Sequence, residues 1–345
     1  RDPEMSRGLG DVYKRQALQF ILGPSGAGKS EYIYEDIIRR TMQDERENVI
    51  VLVPEQYSLE IQRKLVQKHP RGGSFQIDVI GFNRLAYRIF DELHIKPKKV
   101  LEDFGKSMLL RKAAQEHKEE LSLYAGSLDK AGFIDEAKSL MSEIYQYDIP
   151  RERLREALQK LDDSEEARVL ARKLQDMLVI FDAFEEKKGQ SFIVAEQMLE
   201  LLTAAAEQSE MIAGSEIVLD GFTGFTPIQL NLISVLLRRA KKVTIVLTID
   251  AATYEKKHVA EHELFALTKQ TIEHLLLTAE QAHVVVEPAL FLGKDGCKRW
   301  SKGHPLAHLE QNLFRYPYRV GKDEEQAITI TAYDTPAQEL TGVAE

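Results

Sequence analysis

Gly23-Pro24-Ser25-Gly26-Ala27-Gly28-Lys29-Ser30 carries the spacing G-x4-G-K-[ST]. Each fixed residue type has a chemical reason. Glycines let backbone N–H groups turn inward and cradle anionic oxygens with no Cβ in the way. A helix opening near Gly28 would offer its free N–H groups and positive dipole end to the same anion. Lys29 adds a mobile positive charge for the β and γ phosphates of a nucleotide, and the Ser30 hydroxyl suits Mg²⁺. Four constrained positions would recur by accident in about one chain per hundred of this size. ATP or a close relative, with Mg²⁺, is therefore the expected ligand of residues 23–30. The bland alternative is a tight glycine turn between a strand and a helix.

A metal-bound nucleotide needs a second carboxylate at the end of a neighbouring strand. Asp220, directly after the apolar run Glu216–Leu219, is the candidate Mg²⁺ ligand, against the reading that it only begins a turn. Many ATP-hydrolysing proteins of this class place Glu beside that Asp to position the attacking water. Here the neighbour is Gly221, so the expectation is ATP binding with slow hydrolysis.

Two histidine patterns compete for attention. His258-Val-Ala-Glu261-His262 matches H-x-x-E-H, the inverted zinc-peptidase spacing. It has three fixed positions, lies in the charged stretch YEKKHVAEHE and lacks a third ligand at a convincing spacing, so a solvated helix start is the better reading. His304 and His308 are also four apart, with Pro305 between them, and make a weaker metal site still.

The elements that must position these residues follow from apolar spacing. Ala17–Leu22, Asn48–Val53, Gln76–Ile80, Glu216–Leu219 and Lys242–Ile249 read as strands, the second and last as near-continuous aliphatic runs typical of a parallel sheet covered on both faces. Helices are expected over Ser30–Thr41, Leu59–Lys68, Phe82–Leu93, Pro227–Arg239 and Glu261–Ala279, and a short strand over His283–Val286. Residues 96–214 carry helical periodicity almost throughout. Ile134, Ala137, Met141, Ile144 and Tyr145 make one stripe, and Leu170, Leu174, Met177, Leu178, Phe181 and Phe184 another, both expected in a core. The predicted class is α/β, a P-loop parallel sheet over 17–95 and 215–345 interrupted by an all-helical insertion.

The formal charge of −9 argues against coating nucleic acid by bulk charge but not against a local basic groove. With a single cysteine, Cys297, no internal disulfide can form, and with no signal peptide visible a cytoplasmic location is expected. No apolar run approaches the ~18–20 residues needed to span a bilayer, so no membrane is expected. Residues 1–16 are polar and aperiodic and read as a non-native leader. The sequence ends at Glu345, inside a helix expected after a strand at Ile328–Ala332, and so reads as a fragment of a longer protein.

Several separated motifs, in order, resemble one family. They are the loop at Gly23–Ser30, Val53-Pro54-Glu55-Gln56, Gly81-Phe82-Asn83-Arg84-Leu85-Ala86, the run from Leu219 to Gln229 (LDGFTGFTPIQ) and Val243–Asp250. Together they look like the N-terminal part of the B subunit of AddAB-type helicase–nucleases, from about Ala17 to Glu345. The resemblance implies a RecA-like, superfamily 1 helicase lobe split by a helical insertion. It also implies a heterodimer with an A-type helicase–nuclease subunit that carries the motor, and a role in resecting DNA double-strand ends for recombinational repair. Members of the family add a C-terminal nuclease domain with an iron–sulfur cluster, which one cysteine cannot ligate here. In this lineage a DNA strand crosses the sheet edge after strands two and three, which corresponds to Gln56–Ser58 and Phe82–Arg84. Phe82 would stack on a base and Arg84 meet a phosphate, against the reading that Phe82 is core and Arg84 a solvated helix residue. Only one lobe is present, so weak affinity, poor discrimination between ATP and ADP, and self-association through apolar surface are expected. The alternatives are a P-loop small-molecule kinase with a helical lid, disfavoured because no arginine cluster is evident near the loop, and a scaffold with a vestigial loop.

Overall fold

Alternation of apolar residues decides how the sheet is covered. In the computed structural model, which describes residues 16–344 except 45, 97, 131, 162–163, 190, 294–297, 302 and 325, the first part of the chain reads β1 (Ala17–Gly23), α1 (Lys29–Gln43), β2 (Asn48–Leu52), α2 (Ser58–Lys68), β3 (Ile77–Ile80) and α3 (Phe82–Glu92). The second part adds α9 (Glu210–Ala213), β6 (Ser215–Leu219), α10 (Pro227–Arg239), β7 (Lys242–Thr248), α11 (Ala251–Glu255), α12 (Ala266–Gln281), β8 (Val285–Val286), β9 (Leu290–Phe291), α13 (Pro305–Asn312) and α14 (Pro336–Ala344). The ladders pair in parallel in the order β3-β2-β6-β7-β1-β8, with β9 also on β1. Leu18, Phe20, Ile50, Leu52, Ile217, Leu219, Ile245 and Leu247 bury one face beneath α3, α10 and α12. Ile21, Val49, Val51, Val218 and Val246 bury the other beneath α1 and α2. Both faces are dry, which is why the strands read as unbroken aliphatic runs. The chain is α/β with a RecA-like parallel sheet and a helical interruption, as the sequence predicts.

The interruption contains β4 (Lys99–Val100), α4 (Asp103–Glu116), α5 (Phe133–Gln146), α6 (Arg151–Gln159), α7 (Glu165–Lys188), β5 (Phe192–Ile193) and α8 (Ala195–Ala206). Helices α4, α5 and α7 share a second core of Leu110, Ala113, Met141, Ile180 and Phe184. Two departures from the sequence reading stand out. β4 and β5 pair as a small parallel ladder that closes the neck of the insertion. α8 lies in the lobe's own core through Met198, Leu202 and Ala206. Of the two apolar stripes, Leu170 is misread. It is 52% exposed, and the buried residues of α7 after Ala167 begin only at Asp176.

The C-terminal expectations need correction. Ile328–Ala332 forms no strand, and Ile330 is 93% exposed. An extended segment becomes a strand only beside an edge it can bond, and none of the described strands pairs with it. The expected short strand at His283–Val286 narrows to β8, and the helix expected from Glu261 begins at Ala266. The leader at 1–16 lies outside the described residues apart from Gln16, and Cys297 lies outside them too.

Candidate nucleotide-binding site

β1 ends at Gly23, in register with Thr248 at the end of β7, and the loop that follows opens directly into α1. The loop is held by its glycines. Gly26 (φ 71°) and Gly28 (φ 82°) take left-handed backbone, a conformation that costs an L side chain about 1–2 kcal/mol. At Gly23 the reason is space, since a Cβ there would meet the Leu292 carbonyl oxygen at 2.4 Å. Gly28 is also the N-cap of α1, and with no side chain it places no capping group of its own over the first turn of this helix. The loop thus has the cradle that a phosphate chain needs, and any side chain at these glycines would fill or strain it.

Lys29 is buried, and its Nζ donates to the carbonyls of Gly23 (2.9 Å) and Pro24 (2.8 Å). These bonds fold the ammonium over the loop. Ser30 follows on α1, and a cleft of about 740 Å³ opens above them, lined by Ser25, Lys29, Ser30, Asp220, Gly221 and Thr248 among others. The residues expected to hold phosphate and metal, from different ends of the sequence, therefore share one cavity at the carboxyl ends of β1, β6 and β7. A separate hollow of about 340 Å³ beside α13 contains none of them.

Asp220 is 4% exposed and continues the β6 ladder through its own N–H to the Leu52 carbonyl (3.0 Å). Its carboxylate is engaged at both oxygens. Oδ2 accepts the Tyr34 hydroxyl at 2.6 Å, and Oδ1 accepts the Gly221 N–H at 2.9 Å. Burial first, and then the neighbouring Asp220 charge, push the Tyr34 phenol far above its ordinary value, so it stays a donor. Ser30 and Asp220 supply hard oxygen donors of the kind Mg²⁺ takes, and the carboxylate keeps lone pairs beyond those two bonds. Tyr34 was missed from sequence, although its position four residues after Ser30 puts it on the same helix face.

Gly221 adopts φ 82°, and a Cβ there would sit 3.4 Å from Pro54 Cδ. A glutamate at this position would sit in left-handed backbone, so the missing carboxylate is built into the turn.

The candidate nucleic-acid contacts lie at the same end of the sheet. Phe82 is half-buried and tilts against Phe222 at 5.4 Å, which in turn meets Phe225 at 5.2 Å. Arg84 is exposed on α3. The Glu55 carboxylate accepts the Asn83 N–H at 3.0 Å and crowds Gly81, where a Cβ would lie 2.2 Å from Glu55 Cδ. The N-terminus of α3 is thus already capped by an anion, and any strand contact here depends on the aromatic rings and Arg84.

The histidine patterns do not converge on a metal. His258 lies in irregular chain and Glu261 and His262 in a turn before α12, not on one helix face. His304 caps α13 by accepting the Leu306 N–H, and His308 Nε2 lies 3.0 Å from the Arg319 carbonyl. Among the described residues no group of three or more His, Cys, Asp or Glu is arranged to hold a metal ion, and no helix is long and apolar enough to cross a membrane.

The family model for "ADDB, N-terminal" matches residues 20–310. Curated relatives each bear the name of the B subunit of an ATP-dependent helicase/deoxyribonuclease. One from Lachnoclostridium phytofermentans is 38% identical over 94% of this chain and 28% of its own length. Those from Clostridium novyi and Clostridioides difficile are 30% and 31% identical, each over 95% of this chain and 28% of the relative. The chain thus spans 28% of the length of these relatives.

Proposed function

This chain belongs to the ADDB N-terminal family, and from that premise we propose that it is the nucleotide-binding, helicase-like region of the B subunit of a DNA helicase–nuclease. The lobe comprises 17–95 and 215–345, with 96–214 inserted between them in the sequence and α8 of that stretch packed back into the lobe's core. Residues 23–30 hold the phosphates of ATP, and Ser30 with Asp220 holds Mg²⁺. The whole assembly pairs with an A-type subunit in the cytoplasm and resects double-strand ends for recombinational repair. Phe82 and Arg84 are its candidate contacts to single-stranded DNA. One cysteine cannot supply the four thiolates of an iron–sulfur cluster, so no cluster is proposed on these residues.

The observation that carries the nucleotide reading is the junction of left-handed Gly26 and Gly28 with Lys29, Ser30 and Asp220 around one cleft. Slow hydrolysis follows from Gly221, which leaves no carboxylate beside Asp220 to orient water. The experiment is a steady-state phosphate-release assay on the purified chain with Mg-ATP, with and without single-stranded DNA. Release far below one per second is expected. Turnover of several per second, abolished by Lys29→Ala, would overturn the slow-hydrolysis reading.

A further inference from the structure

No cationic cluster near the phosphate loop is evident in the sequence, yet the structure brings one there. After β9 the chain returns to the loop, where the backbone N–H groups of Lys298 and Arg299 both donate to the Gly26 carbonyl, at 2.9 and 3.2 Å. The Lys298 side chain lies over the start of α1, since a Cβ built on Gly28 would stand 3.1 Å from Lys298 Cδ. Both residues line the cleft that holds Lys29, Ser30 and Asp220.

Which cations in this cleft can meet a new anion follows from their partners. Lys64 is paired with Glu60, and Lys68 with Glu31 and Glu35. Lys29, which donates to the loop's own carbonyls, is the cation already assigned to the phosphates. Among the described residues, Lys298 and Arg299 form no ion pair, and Arg299 rests beside the Trp300 ring at 5.7 Å. Two cations are therefore seated against a phosphate loop by main-chain bonds, with their charged ends unmatched by any described carboxylate.

We propose that Lys298 and Arg299 form a second cationic arm that binds the polyphosphate of the nucleotide from within this lobe. The proposal rests on the nucleotide reading of residues 23–30. Ammonium and guanidinium groups bind phosphate oxygens through charge-assisted hydrogen bonds, and the guanidinium can do so in bidentate fashion. The hydrogen bonds that seat the segment come from backbone N–H groups, which truncating the side chains does not remove. The arm also changes one expectation. Poor discrimination between ATP and ADP assumes that arginines come only from another lobe, whereas an arm in cis should favour the ligand with more phosphate charge.

The test is calorimetric titration with Mg-ATP and with Mg-ADP at about 50 and 300 mM salt, where screening differs strongly. The proteins are the wild-type chain, K298A/R299A, the charge-preserving K298R/R299K, and Lys29→Ala. The expected result is about tenfold or greater loss of Mg-ATP affinity in K298A/R299A. A smaller loss for Mg-ADP, a flatter salt dependence and near-wild-type binding by K298R/R299K should accompany it. Wild-type affinity and salt dependence in K298A/R299A, while Lys29→Ala loses binding, would overturn the arm and leave the site reading standing. Equal weakening in both double variants would show a purely structural role and also overturn it. Failure of the wild-type chain to bind either nucleotide would remove the site reading and the arm with it.

Discussion

Gly221 shows how one residue limits the chemistry of this site. Its backbone at φ 82° is the one an L residue avoids, so Gly221→Glu should not simply restore a water-positioning carboxylate. The variant should lose about 1–2 kcal/mol of stability and gain little turnover. Urea unfolding beside phosphate release would check both, and a stable variant with fast turnover would contradict the argument. Tyr34 and Asp220 make a second residue-scale case. Removing the hydroxyl in Tyr34→Phe takes one donor from a buried carboxylate and should cost about 1–3 kcal/mol. The phosphate loop and Asp220 were legible because their residue types are fixed by chemistry and their spacing by a strand–loop–helix turn. Lys298 and Arg299 were not, because only tertiary folding returns a segment about 270 residues away to the loop, and charged residues without a motif look like any solvated surface.

The elements were legible where burial writes a period into the sequence. β1, β2, β7 and α10 were read nearly to their ends, with Pro227 opening α10 and the Gln229 side chain accepting the Thr226 N–H at 3.0 Å. The role of α8 was not legible, since an apolar helix face does not say which of two cores it joins. Its link to the insertion is a buried ion pair. Lys106 of α4 lies 3.2 Å from Glu196 of α8 and 3.1 Å from the Ser142 hydroxyl of α5. Glu196→Ala should destabilise by about 3–5 kcal/mol by stranding the ammonium, whereas Lys106→Met with Glu196→Leu should cost far less. Denaturation of the single and double variants decides this, and equal losses would contradict it. Asp176 fastens α7 to the turn at Ser122–Tyr124. Burial pushes its carboxyl up, but the N–H groups of Tyr124, Ser122 and Leu123 and the Ser122 hydroxyl outweigh burial and hold it below its ordinary value. A lowered native value means that its stabilisation is present above the unfolded value of 3.8 and is lost as pH falls through the native one. Asp176→Asn should therefore be less stable than wild type at neutral pH, with the gap narrowing only below about pH 4 in pH-dependent urea melts.

At the scale of the molecule, the sheet gathers the carboxyl ends of β1, β6 and β7 around one cleft and leaves a different surface uncovered. Phe314, Tyr316, Tyr318, Val320, Ile330, Leu340 and Val343, all within residues 314–343, are each 74% exposed or more. The apparent mass in sedimentation should therefore rise with protein concentration, and a concentration-independent monomer would contradict this. The central claim, that the chain is a nucleotide-binding lobe, is tested most directly by calorimetric titration of the wild-type chain and Lys29→Ala with Mg-ATP. Saturable, Mg²⁺-dependent binding by the wild type that is lost in a folded Lys29→Ala variant is the predicted result. No binding by the wild type at millimolar nucleotide, or equal binding by both proteins, would contradict it.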